Sequence, residues 1–194
     1  MGLSVSQQSI LDPLSRNLAR NLTVRSIKPG NKREIIDMEA YDVAQICQNG
    51  HVSNINFLDC PQFNQDFCAL CGCSTITKCP TCSFPIRGYY RRSISLNYKI
   101  PSFCICCGQP FPWIKSRLQA AQDLTQEINS LSAADKIILQ ESINDLVKDI
   151  PSTPVAATRV KRILDKVDRT TAGMFRGILL DALSDAARKV VFPF

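Results

Sequence analysis

Along the C-terminal part of the chain, apolar residues recur every three to four positions, the period of a helix with one buried face. Ile114, Leu118, Ala121, Leu124, Ile128 and Leu131 form a first stripe, and Leu139, Ile143, Leu146, Val147 and Ile150 a second. Between them Ser132-x-x-Asp135 predicts a helix start, because the serine oxygen can accept an orphan amide and Asp135 complements the positive helix end. Pro151 ends the second helix, and Thr153-Pro154 opens a third with proline in its first turn. Ala156, Val160, Ile163, Leu164 and Val167 line that helix; Phe175, Leu179, Leu183, Ala186 and Val190 line the last. No proline separates these two, so one continuous helix stays open. The stripes predict a helical hairpin or bundle over residues 113–194, self-contained or completed by a second subunit. At the other end, Leu11, Leu14, Leu18 and Leu22 repeat at helical spacing beside Arg16 and Arg20. Residues 1–38 are expected to be a poorly ordered or amphipathic extension. They also fit an organelle transit peptide, and Met1-Gly2-x-x-x-Ser6 fits a myristoylation signal. Met38 offers an internal start.

Between these two regions, over residues 39–112, cysteine replaces apolar periodicity. The 194 residues hold ten cysteines, all between Cys47 and Cys107, and one histidine. They form Cys47-x3-His51, Cys68-x2-Cys71, Cys79-x2-Cys82 and Cys104-x2-Cys107. Each pair can curl into a turn that aims two ligand atoms at one point, with backbone N–H groups donating to the sulfurs. Gly50, Gly72 and Gly108 stand where such turns need a left-handed backbone. The intervening loops of 16 residues (52 to 67) and 21 residues (83 to 103) fit two ligand turns separated by a hairpin. Spacing favours a sequential arrangement, with Cys47, His51, Cys68 and Cys71 on one ion and Cys79, Cys82, Cys104 and Cys107 on another. A cross-braced arrangement joining first to third and second to fourth pairs is the alternative. Cys60, Cys73 and Cys106 are left over, and read as small apolar filler.

The chain has no apolar run approaching 18 residues, so no transmembrane helix is expected, and the first 30 residues lack a secretory apolar core. A reducing, cytoplasmic setting follows, in which zinc explains the cysteines better than disulfides. Cys79-Pro80-Thr81-Cys82 could serve thiol redox chemistry, and an all-cysteine site could hold iron; both are lesser readings. Two Zn²⁺ ions, each with four protein ligands, would be structural, since a catalytic zinc keeps a position open. With His51 taken as a ligand, no imidazole remains for a catalytic triad. The expected fold is α+β: two zinc-stabilised β-ribbons followed by the helices. Chelation is expected to unfold residues 40–112 and leave much of the C-terminal part helical.

Several of these segments together resemble a family. Tyr41-Asp42-Val43-Ala44-Gln45-Ile46-Cys47-x-Asn49-Gly50-His51-Val52 is similar to the opening of the bacterial family called domain of unknown function 2321. Phe67-Cys68-x-x-Cys71-Gly72, Cys79-Pro80-x-Cys82, Pro85-Ile86-Arg87-Gly88-Tyr89-Tyr90 and Cys107-Gly108-x-Pro110-x-Pro112-Trp113 resemble its later motifs, and Pro151-x-Thr153-Pro154-Val155-Ala156-Ala157-Thr158-Arg159 its C-terminal part. The resemblance implies a zinc-ribbon-like protein of bacterial cells, which argues against the transit-peptide and myristoylation readings.

Three functions compete. The first is a non-catalytic interaction or adaptor protein, binding a protein partner or itself through the C-terminal helices. The second is nucleic-acid binding through Arg87, Tyr89, Tyr90, Arg91 and Arg92, expected in a loop of the second ribbon, where arginine pairs with phosphate and tyrosine stacks on unpaired bases. An enzyme comes last, since the sequence carries no carboxylate pair or nucleotide loop. Charge tempers the second reading: ionising seven thiols and adding two divalent ions takes the formal +6 to about +3. On the third helix, Arg159, Arg162, Lys166 and Arg169 read as a solvated charged face.

Overall fold

A computed structural model describes residues 39–92 and 98–193; the amphipathic segment expected over residues 1–38 lies outside the described residues. The architecture is mixed α+β, with small antiparallel sheets and two cysteine clusters followed by five helices. The strands are β1 (Tyr41–Val43), β2 (Gln45–Cys47), β3 (Val52–Asn54), β4 (Thr75–Ile76) and β5 (Arg87–Tyr90). The helices are α1 (Pro112–Glu127), α2 (Ala133–Leu146), α3 (Thr153–Leu164), α4 (Arg169–Leu179) and α5 (Asp185–Val191).

β1 pairs with β5, while β2 lies between β3 and β4 in a second sheet. The chain steps from one sheet to the other at the buried Ala44, whose N–H donates to the Ile86 carbonyl at 2.8 Å. Gly88 on β5 passes so close to this step that a Cβ there would lie 2.2 Å from the Ile55 carbonyl oxygen. Polar side chains organise the long loop after β3. Asp42, 1% exposed, accepts the backbone N–H of Leu58 at 2.9 Å and of Asp59 at 3.1 Å. Gln45 both accepts from Gln65 N–H (2.9 Å) and donates to the Gln65 carbonyl (2.7 Å). Asn54 donates to the Cys60 carbonyl at 2.9 Å and to Asn64 Oδ1 at 2.8 Å.

Two apolar cores result. The larger joins Ala121 and Ile128 with Leu139, Ile143, Val160, Phe175, Leu179 and Val191, burying the expected helical stripes against one another. The smaller fuses ribbons to helices: Ile46, Phe84 and Ile86 pack with Phe111, Trp113, Ile114, Val147 and Ala182. Trp113 is its hinge, donating from Nε1 to the Pro101 carbonyl (3.0 Å) and stacking on Phe111 with ring centroids 4.7 Å apart.

Three expectations are corrected. Arg87–Tyr90 is a strand paired with β1, not a ribbon loop, because the buried Gly88 lets the backbone lie against the β1–β2 step. α3 and α4 are separate helices: Asp168 caps α4 by accepting the N–H of Thr170 (2.9 Å) and Thr171 (3.0 Å). The last stripe is broken as well. Ser184 starts α5 by accepting the Ala187 N–H at 3.2 Å, which resets the helical phase. Ala187 and Val191 are therefore buried in place of Ala186 and Val190.

The α2–α3 corner hangs on Thr153. Its fully buried hydroxyl donates to the Lys148 carbonyl at 2.8 Å and accepts from the Ile150 N–H at 3.1 Å. Thr153→Val keeps the shape but strands both partners, so it should cost about 1–3 kcal/mol in a urea unfolding curve. An unchanged midpoint would show that the corner does not depend on this hydroxyl.

Candidate metal centres

Three of the four ligand turns are copies of one eight-residue unit. Each is closed by a bridge between residues seven apart: Phe67 with Ser74, Lys78 with Pro85, Phe103 with Pro110. Within each, the first cysteine's N–H donates to the carbonyl five residues on: Cys68 to Cys73 (2.8 Å), Cys79 to Phe84 (2.8 Å), Cys104 to Gln109 (2.9 Å). Its carbonyl accepts the N–H four residues on, from Gly72, Ser83 and Gly108, each at 2.8 Å. That fourth position has positive φ in every copy: 70° at Gly72, 61° at Ser83 and 69° at Gly108. The remaining turn is looser, with the Cys47 N–H donating to the His51 carbonyl (2.9 Å) and Gly50 at φ 87°. The second cluster is built from two such turns held by single bridges, with less regular strand than a ribbon pair would have.

These turns bring the eight residues together in sequential order. Cys47, His51, Cys68 and Cys71 converge in one group and Cys79, Cys82, Cys104 and Cys107 in another, with the ligand atoms of each within 4.8 Å of one another. In the first, Cys47 Sγ lies 3.7 Å from Cys71 Sγ, and His51 Nδ1 lies 3.5 Å from Cys47 Sγ and 3.6 Å from Cys68 Sγ. In the second, Cys79 and Cys107 sulfurs are 3.8 Å apart and Cys82 and Cys104 sulfurs 3.5 Å. A tetrahedral zinc with ordinary Zn–S and Zn–N bonds has edges of about 3.8 Å between sulfurs and about 3.5 Å between sulfur and nitrogen. The donor sets therefore fit zinc, and His51 would bind through Nδ1. These separations are also far longer than a disulfide bond of about 2.05 Å, and all ten cysteines are unbridged.

Electrostatics inside the clusters point the same way. The Cys73 N–H, directed at the Cys71 sulfur, brings that thiol down to about 6. Burial opposes ionisation of Cys79, yet N–H groups of Cys82 and Thr81 hold it at about 7. The Phe84 N–H favours the Cys82 thiolate, but burial and the neighbouring Cys104 sulfur push it up to about 11. Ionising all four thiols of the second cluster in so small a space would call for a cation among them, a charge that a divalent ion could supply.

The leftover cysteines are not core filler. Cys106 is exposed, Cys60 and Cys73 are half-buried, and Cys73 Sγ accepts from Asn49 Nδ2 at 3.2 Å. Spacing gave no sign of Asn49, which also reaches Cys71 Sγ at 3.5 Å. The basic-aromatic residues lie along β5 and in the turn that follows it. Arg87 lies over the Tyr41 ring, 4.7 Å from its centroid, and Tyr90 packs on that same ring at 5.0 Å. Arg91 is bound to Asp59 at 3.1 Å, to the Tyr41 carbonyl at 3.0 Å and to buried Asp42 at 3.7 Å. Tyr89 is half-buried, and Arg92 is exposed in the following turn. Among the described residues, no helix is long and apolar enough to cross a membrane.

Residues 40–191 match the family model described as "Uncharacterized protein conserved in bacteria (DUF2321)", and the chain belongs to that family. No curated protein and no solved structure matches the chain.

Ser83 is the only one of the three equivalent turn positions that is not glycine, and it bears the positive φ with a side chain. Ser83→Gly should relieve that strain and stabilise the protein by up to about 1 kcal/mol. The measurement is thermal unfolding of the metal-loaded protein. A lowered melting temperature would contradict the strain assignment.

Proposed function

From this family membership and the two converged clusters, we propose that the protein is a zinc-binding, non-catalytic interaction or adaptor protein. Its two Zn²⁺ ions would be structural and its helices would serve assembly. The observation that carries the reading is the closure of both clusters: each offers four protein ligands at tetrahedral separations, which leaves no coordination position for substrate or water. A thiol redox use of Cys79 and Cys82 has less support, since both sulfurs face the Cys104–Cys107 pair instead of standing alone.

The interaction part of the reading is supported by apolar side chains in water. On the first ribbon Phe67 is 67% and Leu70 is 78% exposed, and on the helices Ile137, Val155 and Met174 are each more than half exposed. Phe67 and Leu70 stand three residues apart in one ligand turn, and exposed apolar residues grouped in this way mark surfaces that meet another protein or a second copy. Nucleic-acid binding is less favoured: Arg91 is spent on Asp42 and Asp59, so fewer cations of the 87–92 segment face outward. Binding to single-stranded nucleic acid that weakens steeply with salt would reverse that preference.

Purified protein should carry two equivalents of zinc by metal analysis. A strong chelator should shift the emission of Trp113, the only tryptophan, to the red, because Trp113 is 3% exposed in the core shared with Cys79 and Cys104. Helical circular dichroism should fall only in part, since the larger core contains no ligand. Each ion contributes on the order of 10 kcal/mol of coupled folding energy. An unchanged emission and melt after complete chelation would sink the structural role.

For the interaction surface, the pair Phe67→Ser and Leu70→Ser should abolish recovery of a partner in native co-purification. Metal content and melting temperature should stay the same. Retention of the partner by the doubly substituted protein would move the contact elsewhere.

A further inference from the structure

The two clusters have similar donors and unlike surroundings. In the second, Cys79 and Cys104 are part of the core with Phe111 and Trp113, and Cys82 and Cys107 pack against its edge. Neither Cys47 nor Cys68 belongs to either core, and Cys71 is the one exposed cysteine among the seven proposed sulfur ligands. The turn carrying Cys71 is exposed from Ala69 to Gly72. A side chain added at Gly72 would meet no atom within 4 Å, as is also true at Gly108 of the second cluster, so what sets the first cluster apart is the exposure of the ligand Cys71 itself.

A fifth sulfur stands beside this exposed ligand. Cys73 Sγ and Cys71 Sγ both receive the Asn49 side-chain amide, at 3.2 Å and 3.5 Å, so one nitrogen spans the bound position and its neighbour. The second cluster lacks this arrangement: the residues equivalent to Cys73 in its two turns are Phe84 and Gln109. A closed four-coordinate zinc exchanges most readily when an incoming ligand is already adjacent and the coordination number can rise to five.

We propose that the first cluster is an exchange site for a soft divalent metal ion, entered and left at the Cys71 edge with Cys73 as the alternate thiolate, while the second cluster retains its ion. This rests on the reading of both clusters as metal sites. In the exchange step a bond forms between the Cys73 sulfur and the metal as the bond to the Cys71 sulfur breaks. Cys73 releases its thiol proton to water, Cys71 takes one up, and no electrons move. Asn49 is a positioning residue that holds the two sulfurs side by side. Such a chain can give or receive one ion from a thiolate-bearing partner while the ribbon–helix core stays assembled.

The test uses the full chain loaded with Zn²⁺ and mixed with excess 4-(2-pyridylazo)resorcinol, whose zinc complex is coloured. Two equivalents, counted first by native mass spectrometry, should leave in two phases of equal amplitude. The faster should exceed the slower by about tenfold or more, the usual scale of effects around a metal's ligands. The double substitution Cys71→Ser with Cys73→Ala, which removes both alternative thiolates, should remove the fast phase alone. Cys73→Ala should keep two equivalents, an unchanged far-ultraviolet spectrum and an unchanged slow phase, but slow the fast one severalfold. Release of both ions in a single phase, or a fast phase indifferent to Cys73→Ala, overturns the exchange proposal and leaves the two-site reading intact. A protein that cannot be loaded with two equivalents overturns that reading, and the exchange proposal with it.

Discussion

Four soft donors confined within 4.8 Å are the constraint around which the N-terminal half is arranged. Such a group is unfavourable once its thiols ionise, because the like charges repel. The chain meets the constraint locally, by repeating one turn. Its first cysteine is pinned by backbone bonds on both sides, its second sulfur receives an N–H from two residues on, and its fourth position takes a left-handed backbone. Those features set where the sulfurs point in the folded turn, and folding of the turn and binding of a cation would be coupled. With so few apolar residues in the first ribbon, this local order substitutes for a core.

The helices depend on that constraint through a narrow contact. Cys79 and Cys104 sit among Phe84, Ile86, Phe111 and Trp113, so the second cluster is one wall of the junction. The larger helical core shares none of these residues. Ion pairs add little: Lys99 with Asp185, at 3.1 Å, is an exposed pair linking the two parts, and Arg117 with Asp181, also at 3.1 Å, joins two residues of the helical part. Cohesion between the two halves is thus an apolar matter centred on the second cysteine cluster, while the first meets the junction beside its ligands, through Ile46 and through Gly50, where an added Cβ would lie 3.0 Å from Trp113.

What was legible in the sequence was whatever depends on neighbours in the chain. The i, i+3 cysteine pairs, their sequential grouping, the Ser132 cap and the proline-started α3 all follow from local spacing. The break between α3 and α4 was also local, carried by the cap Asp168 and not by a proline. The rest was set at long range. Nothing near Arg87 announces that it will pair with β1 over forty residues earlier, nor that Gly88 must be small to clear Ile55. The role of Asn49 likewise exists only once Cys71 and Cys73 have been folded beside it.

The Arg91 environment shows how such long-range structure changes the meaning of a motif. A run of arginines and tyrosines looks like a cationic stacking surface when counted as residue types. In the fold, Asp42 is 1% exposed and needs a counter-charge, while its oxygens also tie down the Leu58–Asp59 turn. Arg91 reaches it across the β1–β5 pair and binds Asp59 with the same guanidinium, which in turn holds the Asp59 carboxyl below its usual range. Removing a partner from a buried carboxylate is far more costly than losing an exposed ion pair. The cation is therefore committed to the loop that precedes the first cluster's second ligand turn. Arg91 serves the loop beside the first cysteine cluster, and any surface role falls to the residues on either side of it.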